Sequence, residues 1–129
     1  MAGASATLHE SPDSLKAETI DRHRAFVSLM EELEAVDWYN QRADAAADEE
    51  LRGILAHNRD EEKEHAAMVL EWLRRRDPLL DEHLRTYLFS EGSILAIEEQ
   101  AAPAEATASA ETSPDGSLGI GSLRTEVSR

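Results

Sequence analysis

Glu62-Lys63-Glu64-His65 decides how this chain is read. A carboxylate and an imidazole three residues apart lie one turn apart on one face of a helix. By the same spacing Leu55, Met68, Val69 and Trp72 share that face, so Glu62 and His65 interrupt an apolar stripe, where unpartnered polar groups are costly to bury. A metal ion would satisfy both. Upstream, Glu32 interrupts a second stripe made of Ala25, Leu29, Val36 and Tyr39. If the turn between the two segments is centred near residue 47, Glu32 lies about fifteen residues before it and Glu62 about fifteen after. An antiparallel hairpin then sets both carboxylates roughly 22 Å from the turn, at about 1.5 Å per residue, where they can converge on one ion.

The flanking residues support that hairpin. Ser11-Pro12-Asp13 has the order of an N-cap, a first-turn proline and a first-turn acid. The pattern predicts a helix from there to about Ala45, with no glycine or internal proline. Asp48, Glu49 and Glu50 place negative charge at the start of a second helix, and Arg74, Arg75 and Arg76 place positive charge at its end, both matching the macrodipole. Asp77-Pro78 stops it, and Gly53 is its weak point. A connection of only a few residues folds the two helices back on each other. A shorter third helix is expected with Asp77 as cap and Pro78 as first residue, carrying Leu80, Leu84, Tyr87 and Leu88 and ending near Glu91-Gly92; residues 94–97 extend it after a break. The expected fold class is all-α: an antiparallel two-helix hairpin plus a short C-terminal helix, completed to a four-helix bundle by dimerisation.

Length and composition narrow the function. A chain of 129 residues has room for one small domain, and two helices cannot bury a full core alone, so oligomerisation is expected. The net charge of -14, from 27 acidic and 13 basic residues, argues against nucleic acid or a membrane surface as partner and makes cations the natural ligands. The absence of cysteine removes disulfides, zinc ribbons, iron-sulfur clusters and thiol nucleophiles, leaving oxygen and imidazole as donors. The N-terminus lacks a secretory pattern and no run reaches the roughly 18 apolar residues of a membrane span, so a cytoplasmic protein is expected. Residues 1–10 read as disordered, 11–98 as the helical domain and 99–115, rich in Ala, Pro, Glu, Thr and Ser, as a flexible linker. Residues 116–124, Gly-Ser-Leu-Gly-Ile-Gly-Ser-Leu-Arg, form a short apolar alternation, and 125–129 a tail.

Di-iron carboxylate bundles take one Glu from each of two helices and a Glu-x-x-His from each of the other two. This chain carries one of each, so a two-fold dimer reconstructs the set, with four carboxylates and two imidazoles around two divalent ions. Such ligands suit iron or manganese and do not by themselves separate these from zinc. A second acidic cluster lies on other faces: Glu31, Glu34 and Trp38 on the first helix, and His57, Glu61 and Glu64 on the second. Either attracts cations or simply solvates the surface.

The segments Met30-Glu31-Glu32-Leu33-Glu34-Ala35-Val36-Asp37-Trp38-Tyr39 and His57-Asn58-Arg59-Asp60-Glu61-Glu62-Lys63-Glu64-His65-Ala66-Ala67-Met68 resemble the encapsulated ferritins over about residues 14 to 98. The resemblance implies a ferritin-like fold and a ferroxidase centre built across a dimer from Glu32, Glu62 and His65 of each subunit, with two Fe(2+) per dimer and Tyr39 close by. It also implies a decameric ring that oxidises Fe(II) to Fe(III) with dioxygen inside an encapsulin nanocompartment, which stores the iron. Glu31 and Glu34, with Trp38 adjacent, match residues of a metal uptake site, and His57, Glu61 and Glu64 match a peripheral site. Residues 117–124 are similar to the peptides that target cargo to an encapsulin shell. Two rival functions fit the same residues: a non-catalytic helical cargo or adaptor protein, and a di-metal oxidase that scavenges peroxide.

Overall fold

Each helix begins and ends where its local hydrogen bonding dictates. The structure, a computed structural model, describes residues 6–101, and all regular structure among them is helical. α1 (Ala17–Ala45) spans 29 residues and α2 (Glu49–Arg74) spans 26, so each is roughly 40 Å long at about 1.5 Å per residue. Ala46 leaves α1 in an extended conformation while its N–H still reaches the Arg42 carbonyl at 2.9 Å. Two residues later the Asp48 carboxylate accepts the Leu51 N–H at 2.8 Å and starts α2. The Arg52 side chain reaches back to the Ala46 carbonyl at 3.1 Å, satisfying an acceptor left over at the end of α1. α1 and α2 pack together as the antiparallel hairpin that the short connection predicts.

α3 (Pro78–Tyr87) starts as expected, with Asp77 Oδ1 accepting the N–H groups of Leu79 and Leu80 at 3.1 and 3.0 Å. The turn before it is tied by Arg74, which holds Glu71 at 2.8 Å and also pairs with Asp81 of α3. Chain contacts divide the molecule between Glu82 and His83. In the second unit Leu88 N–H still bonds the Leu84 carbonyl, and Phe89 then adopts φ 62. Ser93 caps a further helical stretch over 94–101, its Oγ accepting the Ala96 N–H at 3.2 Å.

Two boundaries differ from the sequence reading. Pro12–Ser14 form a separate 3-10 turn, and Leu15 and Lys16 are extended, so the long helix begins at Ala17. The Ser11 side chain makes no cap bond; the turn closes instead through backbone bonds from Ser14 and Leu15 to the carbonyls of Ser11 and Pro12. α3 ends at Tyr87, short of Gly92, because Phe89 takes the left-handed position that commonly falls to glycine. Residues 6–10 are not free of contacts, since His23 Nε2 lies 3.0 Å from the Ala6 carbonyl. The linker beyond residue 101, residues 116–124 and the tail 125–129 lie outside the described residues.

Little is buried. Among the described residues only Ala43, Ala66 and Leu73 form a core, while Phe26, Met30, Leu33, Trp38 and Met68 stay exposed. One hairpin therefore carries more apolar surface than it can cover. No helix among the described residues is long and apolar enough to cross a membrane.

Candidate metal centre

α1 delivers Glu32 and α2 delivers Glu62 and His65 to the same height of the hairpin. One ligand atom from each lies within 4.8 Å of the other two, and this is the one such group of three or more His, Asp or Glu side chains found among the described residues. His65 Nδ1 stands 3.2 Å from Glu62 Oε1 and 3.5 Å from Glu32 Oε1. The short Glu-x-x-His step on α2 and the equal distances from the turn bring this about with no irregular backbone.

The three side chains perturb one another's protonation. Glu32 is held above the usual carboxylate range, first by a hydrogen bond shared with Glu62, then by burial and by the Glu62 charge. Glu62 is held below that range, first by the same bond and then by the bond from His65. His65 is raised, chiefly by its hydrogen bond to Glu62. In the absence of metal, protons and the imidazole offset carboxylate repulsion; a divalent ion would replace them. Oxygen and imidazole donors fit iron, manganese or zinc.

The cluster is open on one side. The side chains of Glu32 and Glu62 are 26 and 23% exposed and that of His65 is 46% exposed, so a single chain does not provide the dry pocket that the inward-facing stripes suggest. The same face continues as an open apolar groove of about 450 Å³, lined among others by Ala25, Ser28, Met68, Val69 and Trp72. Ser28 precedes Glu32 by one turn and Met68 follows His65 by one turn, so groove and ligands form one strip.

The other candidate residues are spread along the helices. Tyr39 lies two turns beyond Glu32, about 10 Å along α1, with the Arg42 guanidinium 5.5 Å from its ring centre and 5.9 Å from that of Trp38. Glu31 and Trp38 are exposed and Glu34 is half-buried. His57 Nε2 stands 3.5 Å from Glu61 Oε2 with both side chains largely in solvent, and Glu64 is exposed. Neither set converges three ligand atoms as the central group does. Sequence patterning missed a polar tie between the helices, Arg59 NH1 to Asn40 Oδ1 at 3.0 Å. No spacing rule signals it, because the two residues belong to different periodicities.

An all-α hairpin with a carboxylate and imidazole cluster at mid-height defines a helical protein of the ferritin-like class, with a candidate metal group. Within that class the chain belongs to the EncFtn-like family, whose profile matches residues 7–91. It is 61% identical over 132 residues to an encapsulated ferritin-like protein of Rhodospirillum rubrum, covering 98% of this chain and 94% of the relative. It is 50% identical to a ferritin-like protein of Thermotoga maritima, covering 89% of this chain and 96% of that one. A third relative, 33% identical over 76% of this chain and 80% of its own length, is an encapsulin nanocompartment cargo protein of Myxococcus xanthus. Among solved structures, a crystal structure of a Nitrosomonas europaea protein matches with a TM-score of 0.66 at 61% identity, covering 67% of this chain and 96% of that chain.

Proposed function

We propose that this chain is one half of a ferroxidase: two copies pair across the open strip, and Glu32, Glu62 and His65 of each hold two ferrous ions as substrate. The observation that carries the reading is the convergence of those three ligand atoms on a face that remains uncovered. Three donors from one chain leave a pair of metals short of ligands, and a two-fold partner doubles them to four carboxylates and two imidazoles. Four negative charges then oppose four positive ones, so the loaded site can be enclosed without a large desolvation penalty. The apolar groove beside the ligands gives the second copy a surface to cover.

The residues have distinct tasks. Glu62, already bonded to His65 and Glu32, would hold the ions together with those two residues, supplying carboxylate and imidazole donors to the ferrous substrate. Each ferrous ion gives one electron to dioxygen, so two ions and two protons convert one dioxygen to hydrogen peroxide and leave two ferric ions to depart as mineral precursor. Tyr39 is assigned to the border of the centre, Glu31 and Glu34 beside Trp38 to metal uptake, and His57, Glu61 and Glu64 to a peripheral site. The relative named as encapsulin cargo supports delivery into an encapsulin shell. Residues 117–124 are assigned as the targeting peptide, a decameric ring as the assembly and the cytoplasm as the location.

Anaerobic titration with ferrous iron followed by oxygen tests the function. Two ions per dimer, ferric absorbance on adding oxygen, and loss of both in Glu32→Ala are expected. Unchanged oxidation in Glu62→Ala or His65→Ala would contradict it. Rapid peroxide consumption without ferric mineral would mark a peroxide scavenger, and no metal uptake a non-catalytic cargo protein. Deleting residues 116–129 should abolish shell loading and leave oxidation intact.

A further inference from the structure

The metal ligands come from two helices, so their convergence depends on the axial register of α1 against α2. A slip of α2 by one residue moves Glu62 and His65 about 1.5 Å relative to Glu32. Functional groups need placement to within about 0.5 Å, so such a slip would disperse the ligands. Apolar packing between two smooth helices fixes that coordinate weakly here, since few side chains are fully enclosed.

Arg59 supplies what the packing lacks. It sits one turn before Glu62, with its side chain only 24% exposed. Its Nε donates to Asp60 Oδ1 at 2.9 Å and its NH1 donates to Asn40 Oδ1 of α1 at 3.0 Å. Asp60 is itself held by Lys63 at 3.3 Å, so the guanidinium is gripped at both ends. With Glu32 level with Glu62, Arg59 stands opposite about residue 35, whereas Asn40 lies about 7 Å nearer the turn at ~1.5 Å per residue. The side chain spans that offset because long side chains on a helix lean toward its N-terminus, which for α2 is the turn. The tie is therefore diagonal, and a diagonal tie changes length when one helix slides along the other. On the far side of the ligands Arg22 NH2 donates to the Arg76 carbonyl at 2.9 Å, so the cluster is bracketed.

A cation one turn from a cation site is a poor choice for packing alone. Here the Asp60 carboxylate matches its charge, and the planar fork makes two directed bonds that a lysine cannot make together. We propose that Arg59 is a positioning residue for the metal centre, fixing through Asn40 the register that brings Glu32 to Glu62 and His65. The inference rests on the three-ligand centre assigned above.

Cobalt(II) titration of the metal-free full-length chain, read by visible absorbance and alongside the melting temperature, tests this. Asn40→Ala and Arg59→Lys are expected to weaken cobalt binding about tenfold, as loss of supporting hydrogen bonds around metal ligands does. The band shape should change with it, and the metal-free protein should melt within a few degrees of the unaltered chain. Asn40→Asp, which keeps the acceptor, should restore affinity and spectrum. Should Asn40→Ala fail to fold, Arg59→Lys, which keeps the charge and most of the stem, carries the same comparison. Unaltered affinity and spectrum in either variant would overturn the proposal, as would a loss that merely tracks the melting temperature. If the unaltered chain itself bound no cobalt, the three-ligand centre would fall and the tie with it, a result distinct from failure of the tie alone.

Discussion

Truncating Leu73 tests where the stability of the hairpin resides. Leu73 is 2% exposed, and the other enclosed residues among those described, Ala43 and Ala66, present only a methyl each. Full burial of a leucine is worth about 1.5–3 kcal/mol, and deletion to alanine costs about 2–5 kcal/mol once the cavity is included. Leu73 lies next to the last residue of α2, where the chain can partly collapse, so the lower part of that range applies, about 2–3 kcal/mol. With an unfolding entropy of about 2.1 cal/mol/K per residue over roughly 100 residues, Leu73→Ala should lower the melting temperature by about 10–15 °C. Thermal and urea unfolding followed by far-UV circular dichroism read the melting temperature and the free energy, at one fixed protein concentration because pairing makes stability concentration-dependent. Phe89→Ala is the control: its ring is wholly exposed, so it should cost under about 0.5 kcal/mol. A cost below about 0.5 kcal/mol for Leu73→Ala, or a larger one for Phe89→Ala, would refute the assignment of stability to the hairpin.

Three further outcomes follow from named contacts. Gly53→Ala should stabilise the protein by about 0.5–1 kcal/mol, since an added Cβ at this helical position meets nothing within 4 Å; destabilisation in a thermal melt would show that the space is used. Glu71, pulled down to about 2 first by Arg74 and then by Arg75, contributes stability that is present above the ordinary carboxylate range and is lost as pH falls through about 2. A carboxyl carbon resonance of Glu71 titrating near 4.5 would contradict that. The raised His65 works in the opposite sense: its contribution to the metal-free protein is present below the ordinary imidazole range and fades as pH rises through its raised value. Because a protonated imidazole cannot ligate a metal, loading should weaken as pH falls, and Glu62→Gln should bring the His65 titration down when followed by NMR.

The helices and the convergence of Glu32, Glu62 and His65 were legible because each rests on a local signal. Asp48 and Asp77 cap the helices that they precede in sequence, and Glu32 and Glu62 meet because equal distances from a short turn are equal heights in an antiparallel pair. Boundaries set by competing local bonds were not legible. Pro12–Ser14 close a turn of their own, and Phe89 adopts a backbone conformation that composition assigns to glycine. The Arg59–Asn40 tie joins residues on two helices through a leaning side chain, which periodicity on one helix cannot reveal. Patterning also overstated burial, since a stripe shows which face seeks cover and not whether one chain supplies it. The partial exposure of His65 is the clearest instance.

Anomalous-difference crystallography of the full chain loaded anaerobically with ferrous iron reaches the central claim most directly. Two iron peaks between two copies, each within bonding distance of Glu32, Glu62 and His65, are the expected result. Iron bound within a single chain, or solely beside His57 and Glu61, with those three side chains left to solvent, would contradict it.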